Sequence, residues 1–487
     1  MILRLLVKGF KNLYDTEILF GPFNCIAGAN GIGKSNLFDA IKFLSEAANH
    51  ENTILDAAYK IRDERNKKKS PQDVRSLFYN DGKNSVDTFE FEVDMIIPAR
   101  GIDHLGQIAE ATTTSLKYQL KIGLKKDILG QEGLKIISEN LLPITKREMK
   151  RRLTQMNATN AWIESVVIGK RGTPFIETNP GADIVTISTD KAGRRKTLKI
   201  DQLPRTVLST ATSIESPTMV LAKREFESWK ILQFEPSSLR SPDDIVFSES
   251  PSISSSGEHL PTTLFRLMTD KNSIGDVRIK IRNELSELLP DVEKIDIDRD
   301  EKRDLITLNV TNKAGVTLPA RSLSDGTLRF LALALIENDP SMKGVFCLEE
   351  PENGIHPERI RPIVKLIENI ACNITYESDE SNPLRQVIIN THSPLVVAEI
   401  ETDSLLYGEQ TFIKGNPCID FKFLAKTWRV SNEDRKQTLS KSKLLSYLNP
   451  YASDADFNNI EETHKPIIKR KQRIIDSPDF QQLTLFK

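Results

Sequence analysis

The residues from Gly28 to Ser35 (Gly28-Ala29-Asn30-Gly31-Ile32-Gly33-Lys34-Ser35) meet every fixed position of the spacing G-x-x-x-x-G-K-[ST]. Glycines at those places let the backbone turn tightly and aim its N–H groups inward. A lysine then reaches the β- and γ-phosphates, and a hydroxyl is placed to ligate Mg²⁺. The residues expected to touch a nucleoside triphosphate are Asn30, Gly31, Gly33, Lys34, Ser35 and Asn36. Three further groups carry chemistry. Glu349 and Glu350 stand together at the end of an apolar run, where two carboxylates need a cation or a proton to balance them. Ser324 and Gly326 lie in Ser322-Leu323-Ser324-Asp325-Gly326-Thr327 at a helix start, where free N–H groups and the dipole suit an anion. An ordinary Ser/Asp helix cap is the alternative for that stretch. His392, in Thr391-His392-Ser393-Pro394, ends another apolar run.

The elements that must hold these residues are legible from periodicity. Phe23 to Ala27 reads as a buried strand, and Asn36 to Leu44 has apolar residues at helical spacing. Gly344 to Leu348 reads as a buried parallel strand, Gln386 to Asn390 as the last core strand, and Leu328 to Ile336 as a helix. Two strands, Ile2 to Phe10 and Thr16 to Phe20, precede the glycine loop. Thr88 to Ile97, Leu116 to Ile122 and, less cleanly, Leu134 to Ile137 alternate with period two, which predicts antiparallel strands with one wet face. From Lys146 to Asp300 the pattern is irregular. There we expect a basic helix first, short strands at Ile163 to Val167 and Ile184 to Ser188, and a mobile loop by composition at Ser248 to Gly257. Helices are expected at Leu260 to Met268 and Val277 to Leu289, then strands at Ile295 to Asp298 and Leu305 to Val310. No sustained heptad pattern appears, so no coiled coil is expected.

Composition narrows the class. With 487 residues, 39% hydrophobic and 28% charged, the chain can form two or three domains. No apolar run approaches the roughly 20 residues of a membrane span, and the first residues do not resemble a signal peptide, so a cytoplasmic protein without a membrane partner is expected. Cys25, Cys347, Cys372 and Cys418 form no C-x-x-C pair. The net charge of −1 argues against a dedicated nucleic-acid binder. Local basic clusters at Arg65 to Lys69, at Lys146-Arg147 with Lys150 to Arg152, at Arg194 to Lys196 and at Lys465 to Arg473 read first as solvated faces.

The order of the motifs resembles that of ABC-type ATPase heads of the SMC, RecF and OLD group. The resemblance rests on Leu5-Leu6-Val7-Lys8-Gly9-Phe10-Lys11-Asn12 before the loop and on Asn36-Leu37-Phe38-Asp39-Ala40-Ile41 after it. Ser322 to Thr327 resembles the ABC signature, Glu349-Glu350-Pro351-Glu352 with His356-Pro357 resembles the Walker B segment of OLD-like ATPases, and His392 resembles the switch histidine. The resemblance implies ATP and Mg²⁺ as cofactors. Ser35 and Glu349 then serve the metal, Glu350 orients the attacking water, and His392 contacts the γ-phosphate. Glu352 and His356 build the following loop. Ser324 and Gly326 face the nucleotide of a second subunit, so the expected assembly is an ATP-sandwiched homodimer or a higher oligomer. Gly9-Phe10-Lys11 replaces the group's usual Asn-Phe-Arg, and Gln233 is the candidate Q-loop residue.

The implied fold class is α/β, an ABC-type P-loop head with an antiparallel side sheet, an inserted α+β lobe and a helical C-terminal segment. The boundaries follow as head 1–145, lobe 146–300, head 301–425, basic helical segment 426–475 and tail 476–487. Without a coiled coil or a TOPRIM acidic set, the chain resembles ATPase subunits of bacterial defence systems such as Septu and PARIS. That implies a separately encoded nuclease or effector as partner and no nuclease activity of its own. A RecF-like repair ATPase acting on DNA is the alternative. It suits Gln482-Leu483-Thr484-Leu485-Phe486, which resembles a sliding-clamp-binding motif, though a frayed tail docking on its own domain explains the same residues. A transport ATPase is the remaining alternative, disfavoured by the two early strands and the Glu-Glu-Pro-Glu loop.

Overall fold

The computed structural model describes residues 1–61, 74–103, 106–126, 131–179, 181–190, 195–212, 216–245, 251–270, 276–413, 415–430, 437–449 and 473–476. The run Phe23–Ala27 is buried at all five positions, as a parallel strand covered on both faces must be. It sits inside a seven-stranded sheet in the order Lys230–Leu232, Gly344–Glu349, Arg385–Thr391, Phe23–Ala27, Leu405–Ile413, Asn416–Leu424, Thr438–Leu439. The first five strands run parallel, and Asn416–Leu424 returns antiparallel to Leu405–Ile413.

One expectation about this sheet needs correction. Gln386 to Asn390 is not the last core strand, because Leu405–Ile413 pairs with the far side of Phe23–Ala27. Only the first half of Leu405–Ile413 is fully buried, so its apolar signal is short and its exposed half reads as loop. The early strands Ile2–Phe10 and Leu13–Leu19 belong to a different sheet from the phosphate loop.

That second sheet has eight strands in the order Arg195–Lys199, Ile184–Ser188, Ile176–Asn179, Glu132–Pro143, Ser115–Lys126, Thr88–Ile96, Ile2–Phe10, Leu13–Leu19. Every pair in it is antiparallel. Its dry face buries Phe10, Phe89 and Phe91 against Phe43 of the helix Ser35–Ala48, with Phe10 and Phe91 centroids 5.2 Å apart. Its other face carries an ion pair between neighbouring strands, Lys117 3.0 Å from Glu92, and is partly covered by the helix Lys146–Gln155, whose Arg152 lies 2.6 Å from the buried Asp94. The phosphate-loop helix is thus clamped between two sheets.

The segment 146–300 contributes strands to both sheets, and Asp243–Asp244, Val292–Asp300, Leu305–Asn312 and Thr317–Pro319 form a small sheet of their own. The basic helix is Lys146–Gln155. The strand expected at Ile163 to Val167 is instead the helix Asn160–Val166, because Thr159 caps it by accepting from the Trp162 N–H at 3.2 Å. Trp162, Ile163 and Val166 then bury one helical face. Residues 251–257 of the expected mobile loop are packed: Ile253 is fully buried, and Ser255 and Ser256 accept from the Gln233 and Glu235 N–H groups at 2.8 Å. Their backbone partners come from a distant segment that composition does not reveal.

Residues 246–250, the clusters at Arg65 to Lys69 and Lys465 to 472, Arg194, and the clamp-like Gln482 to Phe486 lie outside the described residues. Within the described part of 426–475 the helix is Lys441–Leu448. The longest helices among the described residues have 14 residues, Ser35–Ala48 and Asp325–Asn338.

Candidate nucleotide site

Parallel strands deliver their C-terminal ends to one edge, and registers fix which residues meet there. Thr391 pairs with Ala27, Asn390 with Glu349, and Leu348 with Leu232. The chain leaves this edge through the glycine loop, the paired acids, the histidine and Gln233. Such an edge is where open α/β sheets bind ligands.

The loop conformation requires its glycines. Gly31 and Gly33 have φ of +78° and +95°. A Cβ on Gly33 would lie 2.0 Å from Asn12 Nδ2, and one on Gly28 would lie 2.7 Å from the Gly408 carbonyl oxygen. Nothing stands within 4 Å of where a Gly31 Cβ would point, so the space above the loop is open. Lys34 is 7% exposed, and its ammonium donates to the Gly28 and Ala29 carbonyls at 2.7 and 2.8 Å. Burial lowers its pKa, opposed by the charges of Glu350 and Glu352. A buried ammonium satisfied only by loop carbonyls, beneath open space, fits a triphosphate.

Asn12, which carries no motif role, braces this loop. Its side chain donates to the Ile32 carbonyl at 2.7 Å and accepts from Asn36 Nδ2 at 2.7 Å. Asn36, expected to face nucleotide, therefore uses its side chain within the protein. Lys11 pairs with Asp39 at 2.5 Å.

Glu349 ends its strand beside Asn390, and Asn390 Nδ2 lies 3.5 Å from Ser35 Oγ. The two residues expected to serve Mg²⁺ thus border one amide. Glu350 sits in the left-handed region at φ +44°, a conformation that costs a non-glycine residue about 1–2 kcal/mol. Its N–H donates to the Asn390 carbonyl at 3.0 Å and faces Asn390 Oδ1 at 3.1 Å. Asn353 Nδ2 donates to Glu350 Oε2 at 2.7 Å, and His392 Nδ1 donates to Oε1 at 2.8 Å. Burial opposes ionisation of Glu350, but the Asn353 amide, the His392 ring and Lys34 outweigh it and hold the carboxyl below the usual range. Glu352 differs. It is buried, accepts a hydrogen bond from the Thr391 hydroxyl, and burial raises its pKa.

Ser324 caps the helix Asp325–Asn338, accepting from the Thr327 N–H at 3.2 Å, and is exposed. Gly326 has nothing within 4 Å of a would-be Cβ. Neither residue forms a hydrogen bond with the phosphate loop among the described residues; they face outward. Gln233 stands just past Leu232 at the site edge, and its N–H donates to the Ser255 carbonyl at 2.8 Å. Sequence reasoning missed Asn12, Asn353 and Asn390 as site residues. The only available signal was their adjacency to motifs.

A family model described as "AAA domain, putative AbiEii toxin, Type IV TA system" matches residues 23–96 and 204–398, more than half of the chain. The DNA replication and repair protein RecF of Parabacteroides distasonis is 49% identical over 55 residues, 11% of this chain and 15% of that protein. RecF of Phocaeicola vulgatus is 45% identical over 52 residues, 10% of this chain and 14% of that protein. This chain thus spans about a seventh of the curated relatives it matches. Among solved structures, an Smc head bound to the C-terminal winged-helix domain of ScpA aligns at a TM-score of 0.46 with 14% identity, covering 88% of this chain and 99% of that one. The SMC head of Thermotoga maritima aligns at 0.34 with 13% identity, covering 86% and 97%. The chain belongs to that AAA-domain family.

Proposed function

We propose that this chain binds and hydrolyses MgATP between two of its own copies, and that the ATP-dependent assembly controls a separately encoded nuclease or effector in antiphage defence. The observation that carries the catalytic half is Glu350, a carboxylate kept ionised and held in a strained conformation between Asn353 and His392 within electrostatic reach of Lys34. Backbone amides at Asn30, Gly31, Gly33 and Asn36 cradle the phosphates, and Lys34 leaves the loop carbonyls to meet the β- and γ-phosphates. Ser35 and Glu349 hold Mg²⁺, which supplies charge neutralisation across the phosphates. Glu350 orients the attacking water and accepts its proton. His392, fixed by its bond to Glu350, contacts the γ-phosphate and reports it. Ser324 and Gly326 of the second copy close the site from the other side.

The defence reading is supported by the family's description, which names a toxin of a toxin–antitoxin system. No described helix is long and apolar enough to cross a membrane; we place the protein in the cytoplasm, with no nuclease activity of its own. A RecF-like role on DNA is the second reading, favoured by the short, 49%-identical match to RecF. Against it stands the basic helix, where Lys146 and Lys150 pair with Glu164 and Arg152 pairs with Asp94.

Glu350→Gln tests the site. It should lower kcat about 10²–10⁴-fold while retaining ATP binding and accumulating a dimer by light scattering. Hydrolysis at the parental rate would refute the assignment. A neighbouring nuclease gene and ATPase activity indifferent to DNA favour defence. DNA-stimulated hydrolysis, and clamp pull-down lost on deletion from Gln482, favour the RecF-like reading.

A further inference from the structure

Arg329 belongs to none of the motifs, yet it joins two of them. It lies in the first turns of the helix Asp325–Asn338 and donates through Nη1 to the Asn353 carbonyl at 3.0 Å. Its Nε is buried with no hydrogen-bond partner among the described residues. Asn353 gives its side-chain amide to Glu350 Oε2 at 2.7 Å and its own N–H to the Glu350 carbonyl at 3.0 Å. The loop that Arg329 touches is therefore the one that sets the Glu350 carboxylate.

Helical geometry supplies the other end of the link. Gly326 and Arg329 are three residues apart and project from the same face. Ser324 and Gly326 open onto free space at the helix start, where anything that binds them must push on the helix. A hydrogen-bonded helix carries such a displacement whole over one turn. The guanidinium is a planar fork, so it passes on direction as well as charge. Glu350 is poised to respond, because its left-handed backbone is held by Asn390 on one side and the Asn353 turn on the other.

We propose that Arg329 is a positioning residue that ties occupancy of Ser324 and Gly326 by a second copy's triphosphate to the orientation of Glu350 in its own chain. The two sites of a sandwich then hydrolyse in concert. This rests on the ATP-sandwich reading above. Arg329 itself touches no reacting atom.

Steady-state hydrolysis by the full chain across ATP concentrations tests it. Arg329→Gln should lower kcat at least tenfold, leave KM for MgATP within twofold, and bring a parental Hill coefficient above one down to one. Arg329→Lys, which keeps a charge and a donor, should recover kcat to within threefold of the parent. A mere staple between helix and loop would lower Tm and leave kcat and the Hill coefficient alone. That result, or a parental Hill coefficient of one, overturns the proposal.

If Arg329→Gln does not fold, Asn353→Ala interrogates the same link. The groups facing Glu350 are Asn353, His392, Lys34 and Glu352. Losing the Asn353 amide should lower kcat at least tenfold and leave KM for MgATP within twofold; a parental kcat overturns the link. Lys34→Ala separates the levels. Hydrolysis that survives it removes the ATP-site reading and this inference together, whereas hydrolysis lost there but parental in Arg329→Gln removes the coupling alone.

Discussion

The two edges of the parallel sheet use similar side chains to opposite ends. At the edge where the strands begin, Arg385 donates to the carbonyls of Met342 at 2.6 Å, Glu337 at 2.7 Å and Asp339. Arg429, 2% exposed, donates to the Leu19 carbonyl at 2.9 Å, to Asn24 Oδ1 at 2.8 Å and to the Asp403 carbonyl. Gln386 likewise bonds Ile2 and Gly21. Burial pushes the Arg429 pKa down to about 9, yet each of its three nitrogens meets an oxygen. At the edge where the strands end, Lys34 donates to loop carbonyls, Glu350 is strained, and Glu352 keeps a buried oxygen without a partner among the described residues. The buried cations of the first edge are anchored by oxygens of distant segments, whereas Lys34 is anchored by two carbonyls of its own loop beneath open space. A buried cation alone therefore does not mark a site. What distinguishes this edge is a strained carboxylate and a loop-held ammonium beneath open space.

The contrast can be broken from either side. Lys34→Ala should produce the larger activity loss, about 10²–10³-fold in kcat/KM, with cooperative unfolding retained in urea. Arg429→Met should do the reverse: it removes the donor shared by three oxygens from distant segments and should cost about 3–5 kcal/mol in urea unfolding, while the protein that remains folded hydrolyses ATP within twofold of the parent. If Arg429→Met removed activity without loss of stability, the two edges would not be functionally distinct. The smallest effect sharpens the comparison. Glu350→Gly removes the strain at φ +44° and should raise stability by about 1 kcal/mol while abolishing hydrolysis. A destabilised Glu350→Gly would mean that the side-chain bonds to Asn353 and His392 outweigh the backbone cost.

Much of the site was legible because its parts are local. A glycine loop works through its own backbone, so its spacing survives in the sequence, and Phe23–Ala27 and Gly344–Glu349 announce burial by short, mostly apolar runs. The period-two strands of the antiparallel sheet were legible for the same reason. Other elements were misread where a neighbour decided the outcome. Asn160–Val166 became a helix because Thr159 could cap it, and residues 251–257 are ordered by hydrogen bonds to Gln233 and Glu235. Leu405–Ile413 joined the core through its first half alone.

By itself the sequence determined a phosphate-binding loop, paired acids and a histidine at strand ends, since each is specified by residues within a few positions of one another. Only the tertiary structure decided that they share one edge, that Asn390 bridges toward Ser35 across 355 positions, and that Arg329 reaches the loop holding Glu350. Amide and guanidinium contacts depend on distance and direction in space, and neither leaves a period in the chain.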